Sequence, residues 1–307
     1  MKTALTIGNF DGVHRGHRAL IEALSDFKRN FQSSGQDVSL KTVVISFEPH
    51  PIEVLKPGTL VKRLTSLNLK THLLQSLGVD EVRILPFSET LAQTPARDFF
   101  KNILIDGLDP AFIAVGPNFY FGHNREGTPG KLIDWCRELN IGARIVEPVE
   151  ADGAPISSSR IRKLIEDGQL VAAGRLLGRD YSINGEVVHG NKKGRLLGFP
   201  TANVVPIIEG SGALCVPAKG VYLTHATVEG KTFASVTNVG VKPTVQKHSP
   251  LVIETHLLDY TGDLYGKQLT VEFRDRLREE KKFSGLDELK AQIHKDTELA
   301  RTRLRNG

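Results

Sequence analysis

The sequence predicts two architectures in series: an α/β half built on a parallel sheet, then an antiparallel β-barrel followed by a long terminal helix. Three observations predict it. Short apolar strands alternate with amphipathic helical stretches up to about Gly178, the pattern of repeated βα units. Beyond that point helical spacing gives way to short alternating strands separated by Gly- and Pro-rich turns, the pattern of a barrel. Helical spacing then returns once, from Leu286 to about Arg305.

In the first half the expected strands are Ala4–Ile7, Thr42–Phe47, Glu81–Pro86, Phe112–Val115 and Ala143–Glu147. Leu20, Leu24, Phe27 and Phe31 recur at helical spacing behind the first strand. Thr94-Pro95 and Thr128-Pro129 each read as an N-cap followed by proline at the first helical position. Ser157-Ser158-Ser159 reads as another helix start, with a glycine stop at Gly168. Such βα units place a ligand at the carboxyl ends of the strands. The expected boundary lies near Arg179–Asn184, giving units 1–180 and 181–307. The second half offers strands Ser182–His189, Gly220–Val228, Thr232–Asn238, Leu251–Asp259 and Gln268–Phe273. Its terminal helix offers Leu289, Ile293, Leu299 and Leu304 to a core.

The bulk numbers exclude several classes. A chain of 307 residues with 40% hydrophobic residues has enough apolar material for two ordinary cores. The net charge is +5, yet no basic run or aromatic-interleaved basic patch stands out, so no nucleic-acid partner is expected. Cys136 and Cys215 form no ligand pattern and read as reduced, structural thiols of a cytoplasmic protein. Lys2 and Thr3 lead straight into the first strand, so no signal peptide is expected. No apolar run reaches the roughly 18 residues of a membrane span. The oligomeric state is open between a monomer and weak self-association.

Chemistry concentrates in two places. Gly8-Asn9-Phe10-Asp11-Gly12-Val13-His14-Arg15-Gly16-His17 follows the first strand and opens a helix. Glycines such as Gly8 and Gly12 let backbone approach phosphate oxygens. The helix start offers N–H groups, and His14 and His17 offer donors for developing phosphate charge. The segment contains neither Gly-Lys-Ser/Thr nor Gly-x-Gly-x-x-Gly, so a P-loop and a nicotinamide turn are both disfavoured. It suits nucleotidyl transfer, in which an acceptor phosphate attacks the α-phosphorus and pyrophosphate leaves. At other strand ends lie Phe47-Glu48-Pro49-His50-Pro51 and Gly116-Pro117-Asn118-Phe119-Tyr120-Phe121-Gly122. Ser158, Ser159 and Arg162 add hydroxyls and a cation at a helix start.

In the second half Gly198-Phe199-Pro200-Thr201-Ala202-Asn203 follows a basic, glycine-rich turn at 192–195. Thr201 and Asn203 are hard oxygen donors on one face of a strand, suited to Mg²⁺ carrying ATP. A structural turn is the alternative reading. Glu254 sits in a strand-like run, placed either to accept a substrate proton or to face solvent.

Taken together, these residues resemble the bacterial bifunctional riboflavin kinase/FAD synthetases. The resemblance runs over nearly the whole chain, on Gly8–His17, Phe47–Pro51, Gly116–Gly122, Ile156–Arg162, Gly198–Asn203, Glu254–Asp259, Asp263–Gly266 and Leu277–Phe283. It implies a Rossmann-like nucleotidyltransferase domain before a flavokinase barrel. The barrel would convert riboflavin and ATP to FMN and ADP. The first domain would convert FMN and ATP to FAD and pyrophosphate. By motif position, Gly8, Phe10, Gly12, His14, His17, Asn118, Ser158, Ser159 and Arg162 would surround that ATP. His14, His17 and Arg162 would be catalytic. Phe47, His50 and Phe121 would lie near the flavin. In the barrel, Gly198, Thr201 and Asn203 would take Mg²⁺–ATP, Phe199 the flavin, and Glu254 the proton of the riboflavin 5′-hydroxyl. Three departures are small: Ser159 stands where threonine is usual, Pro117 where an acidic residue is common, and 238–244 varies mildly. Two other readings compete. One is a nucleotidyltransferase of the same sheet class acting on another phosphorylated substrate, with an accessory barrel. The other is a non-catalytic flavin or nucleic-acid binding module.

Overall fold

The computed structural model describes residues 1–33, 38–189, 198–208, 212–241 and 251–305. The chain divides into two compact units. The first runs Met1–Ser158 and takes in a short later stretch; the second holds Ser159–Ile208 and the residues from Leu214 on. The two helices before the barrel therefore group with it.

The first unit contains β1 (Lys2–Ile7), α1 (Arg15–Ser33), β2 (Leu40–Glu48), α2 (Pro51–Leu55), α3 (Leu67–Ser76), β3 (Glu81–Pro86), β4 (Pro110–Val115), α4 (Pro129–Glu138) and β5 (Gly142–Ile145). Its five strands form a parallel sheet in the order β3-β2-β1-β4-β5. The order reverses between β1 and β4, and a crevice opens at such a switch point beyond the strand ends. Near-continuous apolar strands are what a sheet covered on both faces requires: Leu5, Val43, Ile45 and Ile113 are fully buried. Helix α1 covers one face, with Leu24 buried and Phe27 stacked on Phe112 at 4.4 Å.

Thr128 caps α4 as expected, accepting the N–H of Lys131 at 3.2 Å, with Pro129 opening the helix. Thr94 does not act as a cap. Its hydroxyl turns back to the carbonyl of Thr90 at 3.0 Å, and Glu126 takes the Ala96 N–H at 2.7 Å instead. Only three α-helical residues, Ala96–Asp98, follow before a π-helix over Phe99–Ile105. The cap comes from a distant carboxylate, so the local Thr-Pro signal misplaces it. Cys136 is buried and its thiol is pushed up to about 12 by that burial, so it is inert. Cys215 is likewise free and buried.

The second unit opens with α5 (Ser158–Glu166), which begins on the last residue of the first unit, and α6 (Leu170–Leu177). Then come β6 (Tyr181–Val188), β7 (Ala202–Pro206), β8 (Gly220–Val228), β9 (Lys231–Val241), β10 (Leu251–Leu257), β11 (Gln268–Arg278) and α7 (Leu286–Arg305). The strands close into an antiparallel barrel in the order β7-β10-β9-β8-β11-β6. Strand β7 is the sixth member, added to the five runs read as strands. Alternation sends Ile183, Val187, Ile253 and Val271 into the barrel. Four buried hydroxyls there satisfy one another: Thr224 meets Ser235 and Thr237 at 2.8 Å, and Thr237 meets Thr255 at 3.0 Å.

Helix α7 differs in one contact from expectation. Leu299 is 40% exposed, while Asp296, Thr297 and Ala300 are buried. The inward stripe is Leu289, Ile293, Asp296, Thr297 and Ala300, a helical repeat that leaves position 299 outside it. The side chain of Leu304, the basic turn at 192–195 and residues 242–244 lie outside the described residues.

Candidate active sites

The first site grows out of the loop between β1 and α1. Phe10, Gly12 and Val13 all have positive φ, at 50°, 83° and 41°, which folds the segment tightly after β1. Asp11 holds it there. Its buried carboxylate accepts the N–H of Leu64 at 2.9 Å and that of Thr65 at 3.2 Å, and the Gly12 N–H donates to Thr65 Oγ1 at 3.2 Å. Ser158 Oγ donates to the Asp11 carbonyl at 2.9 Å.

The spacing of the two histidines has a structural cause. His14 Nδ1 accepts the His17 N–H and His17 Nδ1 accepts the His14 N–H, both at 3.3 Å. This is a capping box made by imidazoles three residues apart at a helix start. The rings stack at 3.6 Å between centroids, 15° apart. Gly16 leaves room for that fold, since a Cβ there would stand 3.2 Å from the His14 ring. With each Nδ1 accepting, the proton of each neutral ring resides on Nε2. The pair is thereby set up to donate from Nε2.

Below the loop, Lys70 is buried, with Nζ 3.0 Å from Ser46 Oγ and 3.3 Å from the Asn9 carbonyl. Burial pushes this ammonium below its ordinary range, and Asp11 and Glu48 pull it back up. His50 caps α2 through Nδ1, which accepts the Ile52 N–H at 3.3 Å, and its Nε2 lies 3.1 Å from Asn9 Nδ2. Arg63 bridges Glu48 at 3.2 Å and Glu53 at 2.9 Å beneath the same region.

These pieces border a cavity of about 1020 Å³ at the strand ends, lined by Gly8, Phe10, His14, His17, Phe47, Asn118 and Phe121. Phe87, Phe99 and Phe119 add aromatic surface: Phe119 stacks on Phe121 at 5.2 Å and Phe87 meets Phe47 edge-on at 5.6 Å. The lining thus combines imidazoles with aromatic rings. That pairing suits a nucleotide bearing a flat heterocycle. Gly12, His50 and Ser158 stand behind the lining, in the contacts given above. Ser159 and Arg162 lie on α5 in the second unit, where Cys215 Sγ approaches the Arg162 carbonyl at 3.7 Å.

The second site lies on one face of β7 and β10. Asn203 pairs directly with Glu254, and Asn238 on β9 pairs with Glu254 from the other side. Side chains so paired sit about 5 Å apart on the same face. Phe199, Thr201, Asn203, Asn238 and Glu254 all line a cavity of about 940 Å³. Gly198, at φ 82°, turns the chain into this segment. Across the cavity Arg278 is held by Asp296 through Nε at 3.0 Å and Nη2 at 2.8 Å, and Gln292 donates to the same carboxylate at 2.8 Å. The Thr201 hydroxyl and Asn203 carbonyl oxygens, facing a carboxylate, fit a hard divalent cation whose remaining ligands come from phosphate. Among the described residues no group of three His, Cys, Asp or Glu forms a self-sufficient metal site.

Of the residues singled out in the sequence, Gly8, Phe10, His14, His17, Phe47, Asn118 and Phe121 line the first cavity and Phe199, Thr201, Asn203 and Glu254 the second, whereas Gly12, His50, Ser158, Ser159, Arg162 and Gly198 do not. Asp11 lies within the Gly8–His17 segment itself, whereas Ser46 and Lys70 reach the loop from distant positions that no local pattern marks. Asn238 and Arg278 fall in stretches the resemblance already marks, 238–244 and Leu277–Phe283, but their contacts with Glu254 and Asp296 become visible only in the structure.

Comparison with known proteins gives a consistent result. Residues 1–160 match the FAD synthetase family and residues 177–304 match the riboflavin kinase family. The bifunctional riboflavin kinase/FMN adenylyltransferase of Escherichia coli K12 is 40% identical over 298 residues, 97% of this chain and 91% of that protein. The Pseudomonas fluorescens protein of the same name is 38% identical over 296 residues, 96% of this chain and 91% of that one. A crystal structure titled as a macrolide-efflux protein from Streptococcus pneumoniae superposes with a TM-score of 0.87 at 31% identity, covering 98% of this chain and 94% of that one. No helix among the described residues is long and apolar enough to cross a membrane.

Proposed function

The chain belongs to the bifunctional riboflavin kinase/FMN adenylyltransferase family, and from that premise we propose how its residues divide the two reactions. The protein phosphorylates riboflavin to FMN with ATP and adenylylates FMN with ATP to FAD and pyrophosphate. The unit with the parallel sheet is assigned the second step and the unit with the barrel the first. The observation that carries the assignment is that each unit has its own cavity, with side chains suited to a different step.

In the barrel, Glu254 accepts the proton of the riboflavin 5′-hydroxyl as that oxygen attacks the γ-phosphorus and ADP departs. Thr201 and Asn203 would hold Mg²⁺ with the ATP phosphates, and the cation would supply charge neutralisation on the transferring group. Phe199 flanks the flavin, and Gly198 lets the segment turn. In the first cavity no protein nucleophile is needed, because the FMN phosphate is already ionised. It attacks the α-phosphorus, and the Nε2–H groups of His14 and His17 stabilise charge on the departing pyrophosphate. Gly8, Phe10, Gly12 and Asn118 shape the ATP end, and Phe47, His50 and Phe121 the flavin end. Ser158, Ser159 and Arg162 keep the roles the resemblance implies. Small molecules are the partners in this reading, with no nucleic acid or membrane surface, in the cytoplasm.

Incubation with riboflavin and Mg²⁺–ATP followed by chromatography tests the order of steps. FMN should appear first and FAD second, with pyrophosphate released only as FAD forms. Absence of both flavin nucleotides would sink the proposal.

A further inference from the structure

The face that carries Asn203 and Glu254 bears another polar side chain, His256. It lies two residues beyond Glu254 on β10, on the same side of the strand. The register Ala202↔Thr255 and Asn203↔Glu254, extended one step, sets Thr201 level with His256. Thr201, Asn203, Glu254 and His256 all line the cavity. They form a square on two strands, of which the proposed reaction uses three corners.

The fourth corner has a defined contact. His256 Nδ1 lies 2.7 Å from the Pro200 carbonyl oxygen. A carbonyl only accepts, so Nδ1 carries the hydrogen. The Phe199 ring meets the imidazole edge-on at 5.6 Å and 82°. Pro200 has no N–H, so it cannot donate to a backbone ladder. At this point the imidazole, not a strand partner, accepts the job of tying the segment to β10.

We propose that His256 is a positioning residue for phosphoryl transfer: its Nδ1–H holds the Pro200 carbonyl and so fixes Thr201, the next residue, for Mg²⁺–ATP. The proposal rests on the reading of this cavity as the phosphorylation site. Preorganised ligands lower the cost of ordering on binding. Releasing the tether therefore weakens Mg²⁺–ATP binding and leaves the proton transfer at Glu254 intact.

The test is steady-state riboflavin phosphorylation by the full chain carrying His256→Leu or His256→Asn, beside Glu254→Ala. Leucine removes the donor. Asparagine sets an amide N–H near the place of Nδ1. His256→Leu should raise KM for Mg²⁺–ATP about tenfold, equivalent to about 1.4 kcal/mol, with kcat and the riboflavin KM unchanged. His256→Asn should restore most of the loss. Adenylylation of supplied FMN should be normal in both variants. A merely structural role would lower kcat with the folded fraction and leave KM alone. The proposal is overturned if His256→Leu keeps the normal KM, or if His256→Asn is as impaired as His256→Leu. Should Glu254→Ala phosphorylate riboflavin at the parental rate, the reading of the site itself fails, and the role of His256 with it. A dead Glu254→Ala beside a normal His256→Leu overturns only the positioning role.

Discussion

Gly122→Ala is a severe test of the first site's architecture. Gly122 has φ 73°, and a Cβ there would lie 2.4 Å from Ala96 Cα and 2.5 Å from Ala96 N. Those are backbone atoms of a tied segment: the Ala96 N–H donates to Glu126 at 2.7 Å, and the His123 N–H donates to Thr94 O at 2.8 Å. With ψ 174° this backbone region is essentially restricted to glycine, and an L-residue there costs about 1–3 kcal/mol, while overpacking adds about 1–3 kcal/mol. The sum is about 2–6 kcal/mol, which for a domain of this size lowers Tm by about 4–24 °C. The chain's single tryptophan, Trp135, meets Phe100 at 5.4 Å and Phe121 at 6.1 Å, so its fluorescence reports on this unit. Phe121, next to Gly122, lines the cavity, so KM for FMN should rise along with the loss of stability. Gly116→Ala is the control. A Cβ there meets nothing within 4 Å, and its fluorescence melt should match the parent. A Gly122→Ala melt coinciding with the parent and an unchanged KM for FMN would refute the reasoning.

Further outcomes follow from other contacts. Burial raises the Asp80 carboxyl, but hydrogen bonds from Lys28 and from the Thr42 N–H and hydroxyl outweigh it, leaving Asp80 below its usual 3.8. Its stabilisation is complete above that unfolded value and is lost as pH falls through the lower folded one. Asp80→Asn should thus flatten the acid limb of a stability–pH profile, and an unaltered limb would contradict this account. Asp296→Ala strands Arg278 in a largely buried setting, with side-chain exposures of 22% and 6% for Arg278 and Asp296, and should cost the barrel about 3–5 kcal/mol. Circular dichroism melting checks this, and a parental Tm would speak against it. Excess EDTA should stop riboflavin phosphorylation, and added Mg²⁺ should restore it; full turnover in EDTA would remove the metal from the scheme.

The parts of the fold written in short-range periodicity were legible. Strands β1 to β5 and every barrel strand but β7 alternate or run apolar over a few residues, and Thr128-Pro129 carries its own cap. Thr94-Pro95 misled because Glu126, far along the chain, supplies the cap that Thr94 declines. Helix α6 escaped notice because Leu-Val-Ala-Ala-Gly-Arg-Leu-Leu is apolar on most sides and has no capping side chain. Leu299 was misassigned because the helical stripe drifts across α7, and Asp296 occupies an inward position opposite Arg278. In the sites, the polar lining residues His14, His17, Asn118, Thr201, Asn203 and Glu254 stood out because phosphate and proton chemistry calls for such side chains. Their supports did not. What Asp11, Lys70 and His256 hold in place is apparent only where the chain brings Thr65, Asn9 and Pro200 beside them.

The central claim is that two independent sites carry the two reactions. Glu254→Ala and His17→Ala, each assayed for riboflavin phosphorylation and for adenylylation of supplied FMN, test it most directly. Glu254→Ala should lower phosphorylation by about 10²–10⁴-fold and leave adenylylation intact. His17→Ala should lower adenylylation by about 10²–10³-fold and leave phosphorylation intact. Equal loss of both reactions in either well-folded variant would contradict the account.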